Sequence, residues 1–228
     1  MSWKKLILLG DSNTQFSHGI AEWVNKVSDL FQRKSDVINR GFSGYSSEHI
    51  RIILPRLLSE FKPELVCGIV VMLGSNDSTD ASSEIQHVPL NRFRENISYI
   101  VDYLINWGIP KDKIILVSPA KIYDEKWIKA LGPRAAHRDF LVKDYAEQIN
   151  KIAREKEVLF FDFRKAMDDY GSDYHVLLHD GLHLSKEGGD LLYQGLLQIL
   201  NDNILKDLKL NYPDWKELQP NQKEINQF

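Results

Sequence analysis

The chain has 228 residues, 43% of them hydrophobic, which fits one α/β domain with a sizeable core. A formal net charge of −3, with no cluster of lysine and arginine, argues against a nucleic-acid partner. No run approaches the roughly 18 apolar residues of a membrane span, the amino-terminal apolar run is too short for a signal segment, and one cysteine cannot form an internal disulfide. The expectation is a soluble, cytoplasmic protein in which Cys67 is a small buried hydrophobe.

The first apolar run, 6–9, reads as a strand and ends at Gly10-Asp11-Ser12. A helical pattern over 21–33 puts Val24, Val27, Leu30 and Phe31 on one face. A second strand, 37–39, leads to the glycine-rich turn Gly41-Phe42-Ser43-Gly44. A helix over 47–61 follows, and Pro55 inside it should kink it or shift its start. The longest apolar run, 66–73, predicts a third strand and ends at Gly74-Ser75-Asn76-Asp77. A helix at 90–107 precedes a strand at 114–117, and a helix at 139–155 precedes a strand at 158–161. The last helix, 185–200, has Ser185 as its N-cap candidate.

Five strands alternating with helices predict an α/β fold, a parallel sheet with helices on both faces. The expected form is a three-layer flavodoxin-like sandwich with strand order 2-1-3-4-5. Ligands bind at the carboxyl ends of strands in such sheets, so Ser12 and Asn76 should meet at one crevice. The domain is expected over 1–200. Residues 201–228 form a polar tail, which Tyr212 and Trp215 should partly dock on that domain.

Ser12 can serve as a helix cap, the usual use of an isolated Asp-Ser after a strand. It can also be a nucleophile, provided that a base lies nearby. Seven histidines compete for that role, and His183 stands apart. Asp180 lies three residues before it with Gly181 between, a spacing that lets a carboxylate fold back onto the imidazole and orient it. His179, adjacent to Asp180, is less suited because neighbouring side chains diverge. Asn76 and Gly44 suit turns. They can also donate an amide and a backbone N–H to a developing oxyanion, alongside the Ser12 N–H. No histidine spacing with a third ligand suggests a metal, and no phosphate loop is present. No metal and no cofactor are therefore expected.

Gly10-Asp11-Ser12, Gly44, Gly74-Ser75-Asn76-Asp77 and Asp180-Gly181-Leu182-His183 resemble, in order, the four blocks of the SGNH (GDSL-type) hydrolase family. The resemblance implies the flavodoxin-like fold and an ester hydrolase. It implies Ser12 as nucleophile, Asp180 and His183 as acid and base, and an oxyanion hole of Ser12, Gly44 and Asn76. Asn13 departs from the family pattern, which has leucine there. The segments 40–46, 76–90 and 180–185 look most like the branch of isoamyl acetate-hydrolysing esterases, implying short acetate esters as substrates. A lysophospholipase, thioesterase or carbohydrate deacetylase is the alternative within the family, and an inert flavodoxin-like scaffold the alternative outside it. The expected partner is a small-molecule ester, and a homodimer is left open. Segments 78–89 and 123–138 are expected to shape the pocket.

Overall fold

The computed structural model describes residues 3–80, 85–132 and 139–218. Its centre is a five-stranded sheet in the order β2-β1-β3-β4-β5. The strands are β1 (Lys4–Gly10), β2 (Ser35–Gly41), β3 (Val66–Met72), β4 (Ile114–Val117) and β5 (Leu159–Phe161), and every neighbouring pair is parallel. The expected α/β fold and strand order are both present.

The pleat divides each apolar run between two cores, because successive strand side chains point to opposite faces. Ile7, Leu9, Ile69 and Val71 pack with the helices α3 (Ser47–Leu58), α4 (Leu90–Trp107) and α6 (Asp139–Lys156). Leu6, Leu8, Val70 and Met72 pack with α2 (Trp23–Leu30), α7 (Phe163–Tyr170) and α8 (Lys186–Asn203). The continuous apolar runs in the sequence reflect strands buried on both faces.

Element ends differ from the sequence expectations for local reasons. Helix α2 starts at Trp23, because Glu22 before it has a left-handed φ of 54°. Pro55 neither moves the start of α3 nor ends the helix, which runs from Ser47 through Pro55 to Leu58. Its missing N–H falls in the last turn, on an exposed position. Ser185 caps α8, its side chain accepting from the Gly188 N–H at 3.2 Å. Three short helices carried too few periodic residues to be anticipated: α1 (Ser12–Gln15), α5 (Asp124–Leu131) and α7. Cys67 corrects its expectation. It is half-buried at the edge of a surface cavity, with its sulfur 3.4 Å from the Ser35 hydroxyl.

Beyond α8, Ile204 and Leu205 are buried in the second core. Asn211 donates its backbone N–H to the Arg33 carbonyl at 2.9 Å, and Arg33 donates to the carbonyls of Tyr212 and Pro213. Trp215 is exposed. Residues 219–228 of the tail, 81–84 of the first insert and 133–138 of the second lie outside the described residues. No helix among the described residues is long and apolar enough to cross a membrane.

Candidate active site

Register brings three loops to one place. Gly10 of β1 lies opposite both Gly41 of β2 and Met72 of β3. Ser12 follows Gly10 by two residues, Gly44 follows Gly41 by three and Asn76 follows Met72 by four. All three leave adjacent strands at the carboxyl edge, the ligand edge of such sheets. The loops are also tied together. Phe42 donates its N–H to the Gly10 carbonyl at 2.9 Å, and Ser43 donates to Gln15 Oε1 at 2.6 Å.

Ser12 is the first residue of α1, and it is not the cap. Asp11 holds that position, its carboxylate accepting from the Asn13 N–H at 2.9 Å. The Ser12 hydroxyl is thus left for another partner, His183 Nε2, at 3.0 Å. On the other side of the ring, His183 Nδ1 lies 2.7 Å from Asp180 Oδ2. The second Asp180 oxygen accepts from the backbone N–H groups of Leu182 (3.0 Å) and His183 (2.8 Å). Partial burial opposes ionisation of Asp180, but the His183 ring and these two N–H donors outweigh it and hold the carboxyl down at about 2. An ionised Asp180 only accepts, so Nδ1 of His183 is the donor of that pair, and the neutral form of the ring presents a lone pair on Nε2 to the Ser12 O–H.

The loop that carries this pair depends on Gly181. Its φ is +99°, and a Cβ there would lie 2.5 Å from both Trp127 N and Tyr123 O. Tyr123 donates its N–H to the Gly181 carbonyl at 2.8 Å, which fastens the loop to the start of α5. Helix α5 also supplies Trp127, whose ring meets the His183 ring edge-on at 5.9 Å. Phe16 meets it from another side at 6.0 Å. His179 is drawn into the same loop by its backbone, donating to the His183 carbonyl at 2.7 Å.

Gly44 and Asn76 meet around one small network. Gly44 sits in the turn after β2 with φ of +80°. Asn76 Nδ2 donates to the Tyr45 carbonyl at 2.9 Å. This bond turns the nitrogen end of the amide toward the loop after β2. Gln86 Nε2 donates both to the Gly44 carbonyl (3.1 Å) and to Asn76 Oδ1 (3.2 Å). Sequence reasoning missed Gln86, which lies ten residues from Asn76 with no local pattern to mark it. It also left Asn13 without a role. The Asn13 side chain accepts from the Leu184 N–H at 2.9 Å and donates to the Leu182 carbonyl at 3.4 Å.

Two depressions lie beside these residues, and Ser12 lines one of them. One, of about 120 Å³, is lined by Ser12, Phe16, Ile20, Ala21, His183 and Leu184 among others. The other is more open and lies beside Gly44, Tyr45, His49 and Gln86. A hydroxyl bonded to an imidazole that is itself oriented by a carboxylate is an arrangement able to generate a nucleophile when the ring is neutral.

The model of the GDSL-like Lipase/Acylhydrolase family matches residues 8–191, a span that contains every residue of this site. The chain belongs to that family. It is therefore a carboxylic ester hydrolase. Among similar proteins, the isoamyl acetate-hydrolyzing esterase 1 homolog of Rattus norvegicus is 34% identical over 98% of this chain and 92% of its own. The isoamyl acetate-hydrolyzing esterase of Saccharomyces cerevisiae is 30% identical over 96% of each. The lipase/acylhydrolase of Enterococcus faecalis shares the fold. Its TM-score is 0.70 at 23% identity, over 92% of this chain and all of that one. An acetylxylan esterase of Geobacillus stearothermophilus shares it with a TM-score of 0.68 at 22% identity, over 86% of this chain and 94% of that one.

Proposed function

We propose that this family member is a serine esterase for short acetate-type esters, working through an acyl-enzyme on Ser12. The observation that carries the reading is the unbroken chain Ser12 Oγ–His183 Nε2, His183 Nδ1–Asp180 Oδ2, at 3.0 and 2.7 Å. The hydrolase domain in this reading spans 1–200, with 201–228 as an appended tail.

His183 Nε2 takes the Ser12 hydroxyl proton as Oγ attacks the ester carbonyl carbon. Charge moves to the carbonyl oxygen, where the Ser12 N–H, the Gly44 N–H and the Asn76 side-chain amide donate to it. The Ser12 N–H suits this because the first N–H groups of a helix have no intrahelical acceptor. Each such donor contributes roughly 3 to 4 kcal/mol to lowering the barrier. Asp180 stabilises the imidazolium formed in this step. Collapse of the tetrahedral adduct breaks the bond to the alkoxy oxygen, and the His183 proton passes to the departing alcohol. Water, deprotonated by the same nitrogen, then attacks the acyl carbon; collapse of this second adduct breaks the bond to Ser12 Oγ, which takes the proton back from His183 as the carboxylic acid leaves.

The preference for acetate rests on the likeness to isoamyl acetate-hydrolyzing esterases. The leaving oxygen must lie near His183 Nε2, so the alcohol falls on the side of Phe16 and Ile20, two apolar and half-exposed side chains. Each methylene buried there adds about 0.8 kcal/mol. A panel of p-nitrophenyl and alkyl esters tests this. kcat/KM should peak at acetyl and fall with acyl length, and it should rise as the alcohol grows by a few carbons. A kcat/KM still climbing at about eight acyl carbons would replace this reading with a lysophospholipase or thioesterase. Activity confined to acetylated sugars would replace it with a carbohydrate deacetylase. An inert scaffold would fail to label with a fluorophosphonate.

A further inference from the structure

We infer that Gln86 is a positioning residue for the oxyanion hole, setting the orientation of the Asn76 amide. The inference rests on the reading of Asn76 as an oxyanion donor given above.

A carboxamide is nearly symmetric in shape, and its two ends have opposite polarity. Asn76 helps an oxyanion only if Nδ2 faces the reacting oxygen. With the amide turned over, Oδ1 would face the developing negative charge and repel it. Something must therefore choose between two orientations of similar bulk. The Tyr45 carbonyl makes half of the choice by accepting from Nδ2 at 2.9 Å. Gln86 makes the other half by donating from Nε2 to Asn76 Oδ1 at 3.2 Å.

The same nitrogen donates to the Gly44 carbonyl at 3.1 Å. Both Gln86 amide hydrogens are thereby committed to the two loops that carry Gly44 and Asn76. A Gly44 carbonyl held toward Gln86 also fixes the plane of the peptide that follows it. Gln86 itself is well anchored. Its neighbour His87 contacts the Thr79 carbonyl through Nδ1 at 2.6 Å. Val88 donates its N–H to the Asp77 carbonyl at 3.1 Å, and the Tyr145 hydroxyl donates to the Val88 carbonyl. Gln86 touches no reacting atom in this arrangement and acts through Asn76.

The test is a double-variant cycle on p-nitrophenyl acetate with Gln86→Ala, Gln86→Glu, Asn76→Ala and the Gln86→Ala/Asn76→Ala pair. Melting temperatures are recorded for each. Gln86→Ala should lower kcat by about 10- to 100-fold, less than full loss of a donor, with little change in KM. In the Asn76→Ala background, Gln86→Ala should cost no more than about twofold, because the group it orients is gone. Gln86→Glu keeps the shape and replaces the donor by an acceptor. It should draw Asn76 Nδ2 toward itself and lower kcat about as far as Asn76→Ala does, and it answers the question if the alanine variant does not fold. Wild-type kcat in a folded Gln86→Ala or Gln86→Glu overturns the inference, as do losses that simply multiply in the double variant. If Asn76→Ala itself keeps wild-type kcat, the oxyanion reading of Asn76 fails and this inference fails with it. A low kcat in Asn76→Ala beside intact Gln86 variants removes this inference alone.

Discussion

The side chain of Asn13 holds the backbone on both sides of His183. It accepts from the Leu184 N–H at 2.9 Å and donates to the Leu182 carbonyl at 3.4 Å. Asn13 is the residue after the candidate nucleophile, so one amide ties the serine loop directly to the histidine loop. A leucine there could fill the space and could make neither bond. Asn13→Leu should leave the Leu184 N–H buried without its acceptor and cost about 1–3 kcal/mol in urea unfolding. It should also lower kcat by loosening the Ser12–His183 distance. Unchanged stability and kcat would show that packing alone holds the two loops together.

Ser12→Ala should reduce kcat by about 10³-fold or more and abolish fluorophosphonate labelling. Its melting temperature should stay at the wild-type value, because Asp11 and not Ser12 caps α1. A variant that retained substantial turnover would remove Ser12 from the mechanism.

Asp180→Asn should keep the loop hydrogen bonds from Leu182 and His183 while losing the negative charge. kcat should then drop by up to about 10⁴-fold, with a much smaller change in KM. Acid stability checks the same charge. Asp180 in the fold ionises at about 2, whereas an unfolded aspartate ionises at about 3.9. The stabilisation is therefore fully present above the higher value and is lost as pH falls through the lower one. The wild-type advantage over Asp180→Asn should shrink on acidification through that window. An advantage independent of pH would contradict it.

Asp77 has the opposite sign. Its side chain is fully buried, with Oδ1 accepting from the Ser47 N–H at 2.8 Å. Burial dominates this hydrogen bond, the nearby Asp11 adds to it, and the carboxyl is pushed up to about 7. Between about 3.9, where the unfolded residue ionises, and about 7, the folded state binds the extra proton. Stability then falls as pH rises through that interval and levels off above it. Asp77→Asn keeps an oxygen for Ser47 and cannot ionise. Its melting temperature relative to wild type should climb across the interval and flatten beyond it. A difference that is constant with pH would mean that Asp77 ionises normally.

The amino-acid sequence by itself determined the layers and the pair. Apolar runs of strand length, split by the pleat into Leu6 and Leu8 on one face and Ile7 and Leu9 on the other, leave room for little but a sheet covered on both sides. Asp180 and His183 were legible as a candidate pair for a similar reason: a spacing of three with Gly181 between them lets the carboxylate fold back onto the ring. Both signals are local, recorded by spacing along the chain. Only the tertiary structure decided that Asp11 takes the cap and frees Ser12, and that Phe16 and Trp127 face His183. It alone showed Asn13 and Gln86 bracing the site. Ser12 and His183 are 171 residues apart, and Asn13 and Leu182 are 169 apart. Contacts of that kind arise where the loop before α8 meets the carboxyl end of β1. A single hydrogen bond between loops leaves no periodic pattern in the sequence, so its partners emerge only when β1, β2 and β3 are set side by side.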